Sequence, residues 1–124
     1  MRALLTALVL AGPAMAQADE AFGTWRTEPA AGAAPLHVYV APCGYDTALT
    51  CGQVMRAEGR TDLVGQAIIT GMQPDGNGGW RDGQFRAPAD GRTYRASMRL
   101  EGGGLTVTGC AALFCRSRSW TRVE

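Results

Sequence analysis

The sequence predicts an all-β domain: a small antiparallel up-and-down β-barrel of about eight strands. Three observations lead there. No stretch after Ala16 shows a helical hydrophobic period. Short runs alternating apolar and polar residues recur along the chain, separated by glycine, proline and aspartate turn signals. The first and last of these runs, Gly23-Thr24-Trp25-Arg26-Thr27 and Ser119-Trp120-Thr121-Arg122-Val123, each carry tryptophan and arginine. A barrel closes by pairing its first strand with its last, which also removes exposed sheet edges.

The first sixteen residues have another purpose. Arg2 is a one-charge start, Ala3 to Ala11 is apolar, Gly12-Pro13 breaks the run, and Ala14-Met15-Ala16 is a small-residue cleavage site. This pattern predicts a signal peptide over residues 1–16 and a periplasmic or secreted domain over 17–124. The apolar run falls well short of the roughly 20 residues a membrane span needs, so no transmembrane segment is expected after cleavage. Subtracting the 16 leader residues from 124 leaves 108, one domain with a modest core that benefits from covalent staples. Removing Arg2 from the twelve cationic side chains leaves eleven against eleven acids. That balance disfavours nucleic acid as a partner, since such binders carry a basic stripe. The domain is expected to be a monomer.

Four cysteines in a small exported chain read as two disulfides. Three pairings are possible, and the short separations favour Cys43–Cys51 and Cys110–Cys115. Each would contribute about 2–2.5 kcal/mol by restricting the unfolded chain. The rival reading is a zinc site. The single histidine, His37, falls on a strand, which disfavours it. Neither a metal nor a cofactor is expected.

Taken in order, strand one runs from Phe22 to Thr27, and Glu28 to Pro35 is an irregular Ala/Pro/Gly stretch. Strand two, Leu36 to Ala41, places Leu36, Val38 and Val40 on one face and His37 and Tyr39 on the other. Pro42 ends it. Strand three is Thr50 to Arg56, so a Cys43–Cys51 bridge would clamp a hairpin. Ala57 to Asp62 is turn-like, and Leu63-Val64-Gly65 leads into strand four, Gln66 to Met72. Asp75-Gly76-Asn77-Gly78 is the strongest turn signal in the chain. Strand five, Trp80 to Arg86, is interrupted by Gly83, which predicts a bend or bulge. Strand six, Arg92 to Leu100, turns Tyr94, Ala96, Met98 and Leu100 one way. Strand seven, Leu105 to Cys110, turns Leu105, Val107 and Gly109 inward. Ala111-Ala112-Leu113-Phe114 reads as an apolar loop, and Arg116 to Val123 holds strand eight. A barrel of this size should be mostly filled by side chains, with a shallow pocket at one mouth.

In order and spacing, Gly23-Thr24-Trp25, Cys43-Gly44, Cys51-Gly52-Gln53-Val54, Leu63-Val64-Gly65, Gly71-Met72, Trp80 with Gly83, Pro88 with Gly91 and Tyr94, Gly109-Cys110, Cys115 and Trp120-Thr121-Arg122-Val123 resemble a bacterial exported family, domain of unknown function 2147. The resemblance implies an exported β-barrel and no established reaction. More distantly, the chain is similar to the lipocalin-like (calycin) barrels, which open on a Gly-x-Trp strand and end on a strand whose arginine packs against that tryptophan. Gly23, Trp25, Trp120 and Arg122 would on this view close the barrel. A guanidinium can stack on an indole and still donate to backbone carbonyls. The chain is shorter than a lipocalin and lacks the C-terminal helix.

Catalytic chemistry finds little support in the residues. His37 has no nucleophile in a recognisable motif beside it, and Asp75, Asp82 and Asp90 sit by glycines where turns favour aspartate. Arg92, Arg95, Arg99, Arg116, Arg118 and Arg122 cluster late in the chain and read as a solvated exterior or as a surface for an anionic partner. The apolar run at Leu113-Phe114 reads as a plug folded over the barrel mouth or as an exposed contact, and the plug is the expected one because exposed apolar patches are normally avoided. The leading expectation is a non-enzymatic binding module holding a small apolar or amphipathic ligand near Trp25, Trp80, Tyr94, Leu113 and Phe114. The alternatives are a cell-envelope interaction protein without a pocket and, last, an unrecognised hydrolase.

Overall fold

Strands that bury one face need a neighbour on each edge, and a closed barrel supplies one to all of them. In the computed structural model of the protein, which describes residues 19–29 and 33–123, eight antiparallel strands follow one another around a closed barrel in chain order. They are β1 (Gly23–Arg26), β2 (Leu36–Pro42), β3 (Thr50–Ala57), β4 (Ala67–Pro74), β5 (Gly79–Arg86), β6 (Thr93–Glu101), β7 (Gly104–Ala111) and β8 (Phe114–Arg122). The expected signal peptide, residues 1–16, lies outside the described residues.

Alternation carries the fold as the sequence implies. Leu36, Val38 and Val40 of β2, Ala96 and Met98 of β6, and Leu105 and Val107 of β7 are all buried. With Trp25, Val54, Ile69, Met72, Trp80 and Trp120 they fill the interior. Each fully buried aliphatic or aromatic side chain contributes about 1.5–3 kcal/mol. Two shallow concavities lie at opposite ends of the barrel. One, of about 270 Å³, is bounded by Arg60, Asp62, Gln66, Arg86 and the Ala87–Gly91 turn. The other, of about 250 Å³, is bounded by Glu20, Leu100, Gly102 and Arg122.

Local chemistry sets the irregular points. Gly83 sits at a register shift between β5 and β6, beside Asp82 with φ of 59°, the bulge that a strand glycine implies. Asp75 organises the β4–β5 turn by accepting the amides of Asn77 and Gly79. Those amide bonds, first Asn77's, together with nearby Arg99 and Arg81, hold its carboxyl below the ordinary 3.8. The Ala57–Asp62 stretch contributes a 3₁₀ turn at Thr61–Leu63, which buries Leu63. Leu63 thus serves the core from that turn, on the approach to β4.

Both disulfides join the near neighbours in sequence: Cys43–Cys51 with Cα atoms 4.9 Å apart, and Cys110–Cys115 with Cα atoms 4.0 Å apart. The first staples the β2–β3 connection at one end, called here the base. The second bridges facing residues of β7 and β8 near the opposite end, the rim.

The rim hairpin corrects one expectation. Ala111 to Phe114 is not a plug. Ala111 pairs with Phe114, so β8 begins at Phe114 and only Ala112 and Leu113 form the turn. A two-residue turn has no length with which to fold back over the mouth. Leu113 is 95% exposed and Phe114 82%. Ala112 takes φ of 55°, a region that costs an L-residue roughly 1–2 kcal/mol. Ala112→Gly should therefore raise stability by about 1 kcal/mol, read as a shift in the denaturant midpoint at unchanged slope. An unchanged or lowered midpoint would show that the turn is unstrained.

Candidate functional site

The barrel closes at its base around Trp25. Trp25 pairs with Arg122 and Arg26 with Thr121 across the β1–β8 seam. The Arg122 guanidinium carbon lies 4.2 Å from the centroid of the Trp25 ring. Its Nη1 donates to the Phe22 carbonyl at 2.8 Å and its Nη2 to that of Glu20. The indole Nε1 of Trp25 in turn donates to the Ala21 carbonyl at 2.8 Å. One stacked pair thus ties residues 20–22 across the base. The backbone at Gly23, with φ of 127°, favours glycine, and a Cβ there would stand 2.9 Å from Arg122 Nη1.

The seam is short. β1 has four residues and β8 nine, and only two residue pairs join them. Beyond Thr121, toward the rim, β1 no longer flanks β8. There the Glu28 side chain takes over part of a strand's role. Its Oε1 accepts the Ser119 amide at 2.8 Å, and its Oε2 lies 3.8 Å from Arg118 Nη1. Both side chains of that ion pair are about two-fifths exposed, so it contributes at most about 1 kcal/mol.

Among the described residues, no strand flanks β8 there, and part of the barrel's inner wall is uncovered. Trp120 is buried, so alternation turns Phe114, Arg116 and Arg118 toward the same side. The register sets out rows across β5 to β8. Phe85 pairs with Tyr94; Tyr94 and Ala111 are the next positions outward from the Arg95–Cys110 pair; Ala111 pairs with Phe114. Phe85 and Tyr94 are half-buried, Ala111 and Phe114 exposed. One row deeper stand Ala96, Gly109 and Arg116. A Cβ on Gly109 would touch Tyr94 Cβ at 3.6 Å, which places that floor directly beneath the aromatic row. The result is a concave wall of small and aromatic residues with two arginines along its free side. The disulfide stands on the opposite, convex face with Thr108 and Ser117, whose hydroxyls are 2.7 Å apart.

The sequence-derived ligand residues divide between two places. Tyr94 and Phe114 share the rim row, and Leu113 is the turn beside it. Trp80 lies deeper, opposite Met98, and is 2% exposed. Its indole N–H has no hydrogen-bond partner among the described residues. Trp25 is part of the base closure, on the far side of the core from the hairpin. Sequence reasoning did not place Arg116 and Arg118 on the inner wall, although counting back in twos from Trp120 carries that signal. Glu28 had no signal, because its partner is 91 residues away.

The closed eight-strand antiparallel barrel, with its tryptophan–arginine base, defines a lipocalin-like fold. Protein HP1028 from the human pathogen Helicobacter pylori, described as belonging to the lipocalin family, has a solved structure that this chain resembles with a TM-score of 0.68 at 12% identity, over 82% of each chain. Residues 23–122 match the family described as "Uncharacterized protein conserved in bacteria (DUF2147)", and the chain belongs to that family. No curated protein matches the sequence.

Proposed function

We propose that the protein is a non-enzymatic binding module of the cell envelope that meets a partner through its rim, at the Cys110–Cys115 hairpin and the concave wall behind it. The observation that carries this reading is the contrast between a filled interior and a covalently pinned hairpin whose Leu113 and Phe114 are 95% and 82% exposed. Apolar side chains held out in this way mark contact sites. The two disulfides support an oxidising, extracytoplasmic compartment, and the leader motif supports export to the periplasm. The lipocalin-like fold is compatible with binding.

A photo-crosslinking residue at position 113, expressed in cells, should yield one defined adduct. Phe114→Asp should abolish it with an unchanged melting curve, because Phe114 contributes little to the core. Diffuse labelling, or an adduct indifferent to Phe114→Asp, would overturn the reading. A second reading is favoured by the half-buried Phe85 and Tyr94: a small amphipathic ligand whose apolar body lies on that row and whose anionic end meets Arg116. A thermal-shift screen abolished by Tyr94→Ala but not by Phe114→Asp would promote it.

A further inference from the structure

The short β1 leaves a backbone edge on β8, and its polarity follows from the turn. In a two-residue hairpin the closing pair, Ala111 and Phe114, exchanges main-chain hydrogen bonds, and alternate residues then face the partner strand. The main chains of Phe114, Arg116 and Arg118 face β7. Those of Cys115, Ser117 and Ser119 face the other way, toward the seam. The Ser119 amide does so, since it reaches Glu28, and Thr121 pairs with Arg26 on that side. Among the described residues, the main-chain amides and carbonyls of Cys115 and Ser117 on this edge have no partner. Arg116 and Arg118 project on the concave side of the same edge, and Phe114 stands at its outer end.

Glu28 demonstrates which chemistry the edge accepts. One carboxylate takes an edge amide and stands near an arginine of the inner wall. We propose that the Phe114–Arg118 edge binds an extended acidic segment of another polypeptide by strand addition, its main chain pairing with Cys115 and Ser117 and its carboxylates meeting Arg116 and Arg118. The proposal rests on the reading of the rim as the contact site and names the partner's chemistry. A second copy of this chain is disfavoured in the symmetric register centred on Ser117. Antiparallel pairing of two β8 edges centred on Ser117 would set Arg116 opposite Arg118 twice, and like charges directly opposite are destabilising. The exposed Glu28–Arg118 pair is weak enough for an incoming carboxylate to displace.

The test uses the whole folded domain and synthetic peptides of about eight residues: alternating glutamate and valine, its lysine–valine counterpart, and the acidic peptide N-methylated on alternate main-chain amides. The acidic peptide should bind and slow hydrogen exchange at the Cys115 and Ser117 amides. The lysine and N-methylated peptides should not bind. Arg116→Glu with Arg118→Glu should weaken binding about tenfold with an unchanged melting curve, and Glu28→Gln should strengthen it severalfold. No binding of the acidic peptide, equal binding after N-methylation, preference for anionic lipid vesicles over the peptide, or self-association of the free protein through this edge would each overturn the proposal. If the position-113 adduct survives while the acidic peptide fails, strand addition falls and the rim reading stands; loss of the adduct removes both.

Discussion

Trp25→Ala should lower the stability of the domain by about 3–5 kcal/mol, the range for emptying a buried aromatic site. Trp25 is fully buried, and its loss removes three things at once. The core loses its largest contact at the base. The Ala21 carbonyl loses its indole donor. Arg122 loses the surface on which it stacks, and with it the anchorage of the Phe22 and Glu20 carbonyls. Trp25→Phe should cost less, because it keeps a stacking face and gives up mainly the N–H. Urea unfolding of the two variants measures the difference. An unchanged midpoint for Trp25→Ala would show that the base is held elsewhere.

Gly83→Val should cost about 3 kcal/mol, the upper part of the range for overpacking. A Cβ at position 83 would lie 2.5 Å from Met72 Sδ and 2.9 Å from the Thr70 carbonyl oxygen. The methionine is flexible and can swing aside, but the carbonyl belongs to the neighbouring strand and cannot move without breaking the β4–β5 register. Adjacent Asp82 already occupies a left-handed conformation, so the bulge has little room to adjust. Gly83→Val in a Met72→Ala background separates the two effects. If the double variant recovers most of the loss, the side chain is the obstacle; if it does not, the backbone is. A Gly83→Val protein as stable as its parent would contradict the tight bulge.

Much of this architecture is legible in the residues because strand alternation is a local signal. The period-two pattern marks β2, β6 and β7 and their buried faces. Asp75-Gly76-Asn77-Gly78 marks its hairpin, and Gly83 marks its bulge. The cysteine spacings identify both bridges. What escapes the sequence has physical reasons. The turn at Ala112-Leu113 carries none of the Asn-Gly or Asp-Gly chemistry of tight hairpins, so the apolar run hides a strand start at Phe114. β8 looks like a polar outer strand because its inward positions toward the rim are Arg116 and Arg118. They are tolerated there because β1 ends at Arg26 and leaves that part of the wall open. The Glu28 contact depends on closure of the whole barrel and has no local trace.

The same asymmetry gives the functional reading its shape. A barrel with eight strands of equal length would bury the β8 edge. Here one long ribbon, stapled by a disulfide, extends past its short neighbour. The filled core supplies the rigidity, and the ribbon, without a neighbouring strand among the described residues, supplies main-chain groups, aromatic surface and two cations in one place.

Residue-by-residue amide hydrogen exchange of the free protein reads the state of the β8 edge, because exchange reports local protection. With β8 uncovered toward the seam, the amides of Arg116 and Arg118 should be protected by β7, while those of Cys115 and Ser117 exchange near the rate of unstructured chain. Equal, strong protection of all four would mean that the edge is already occupied, and would contradict both the open rim and the function built on it.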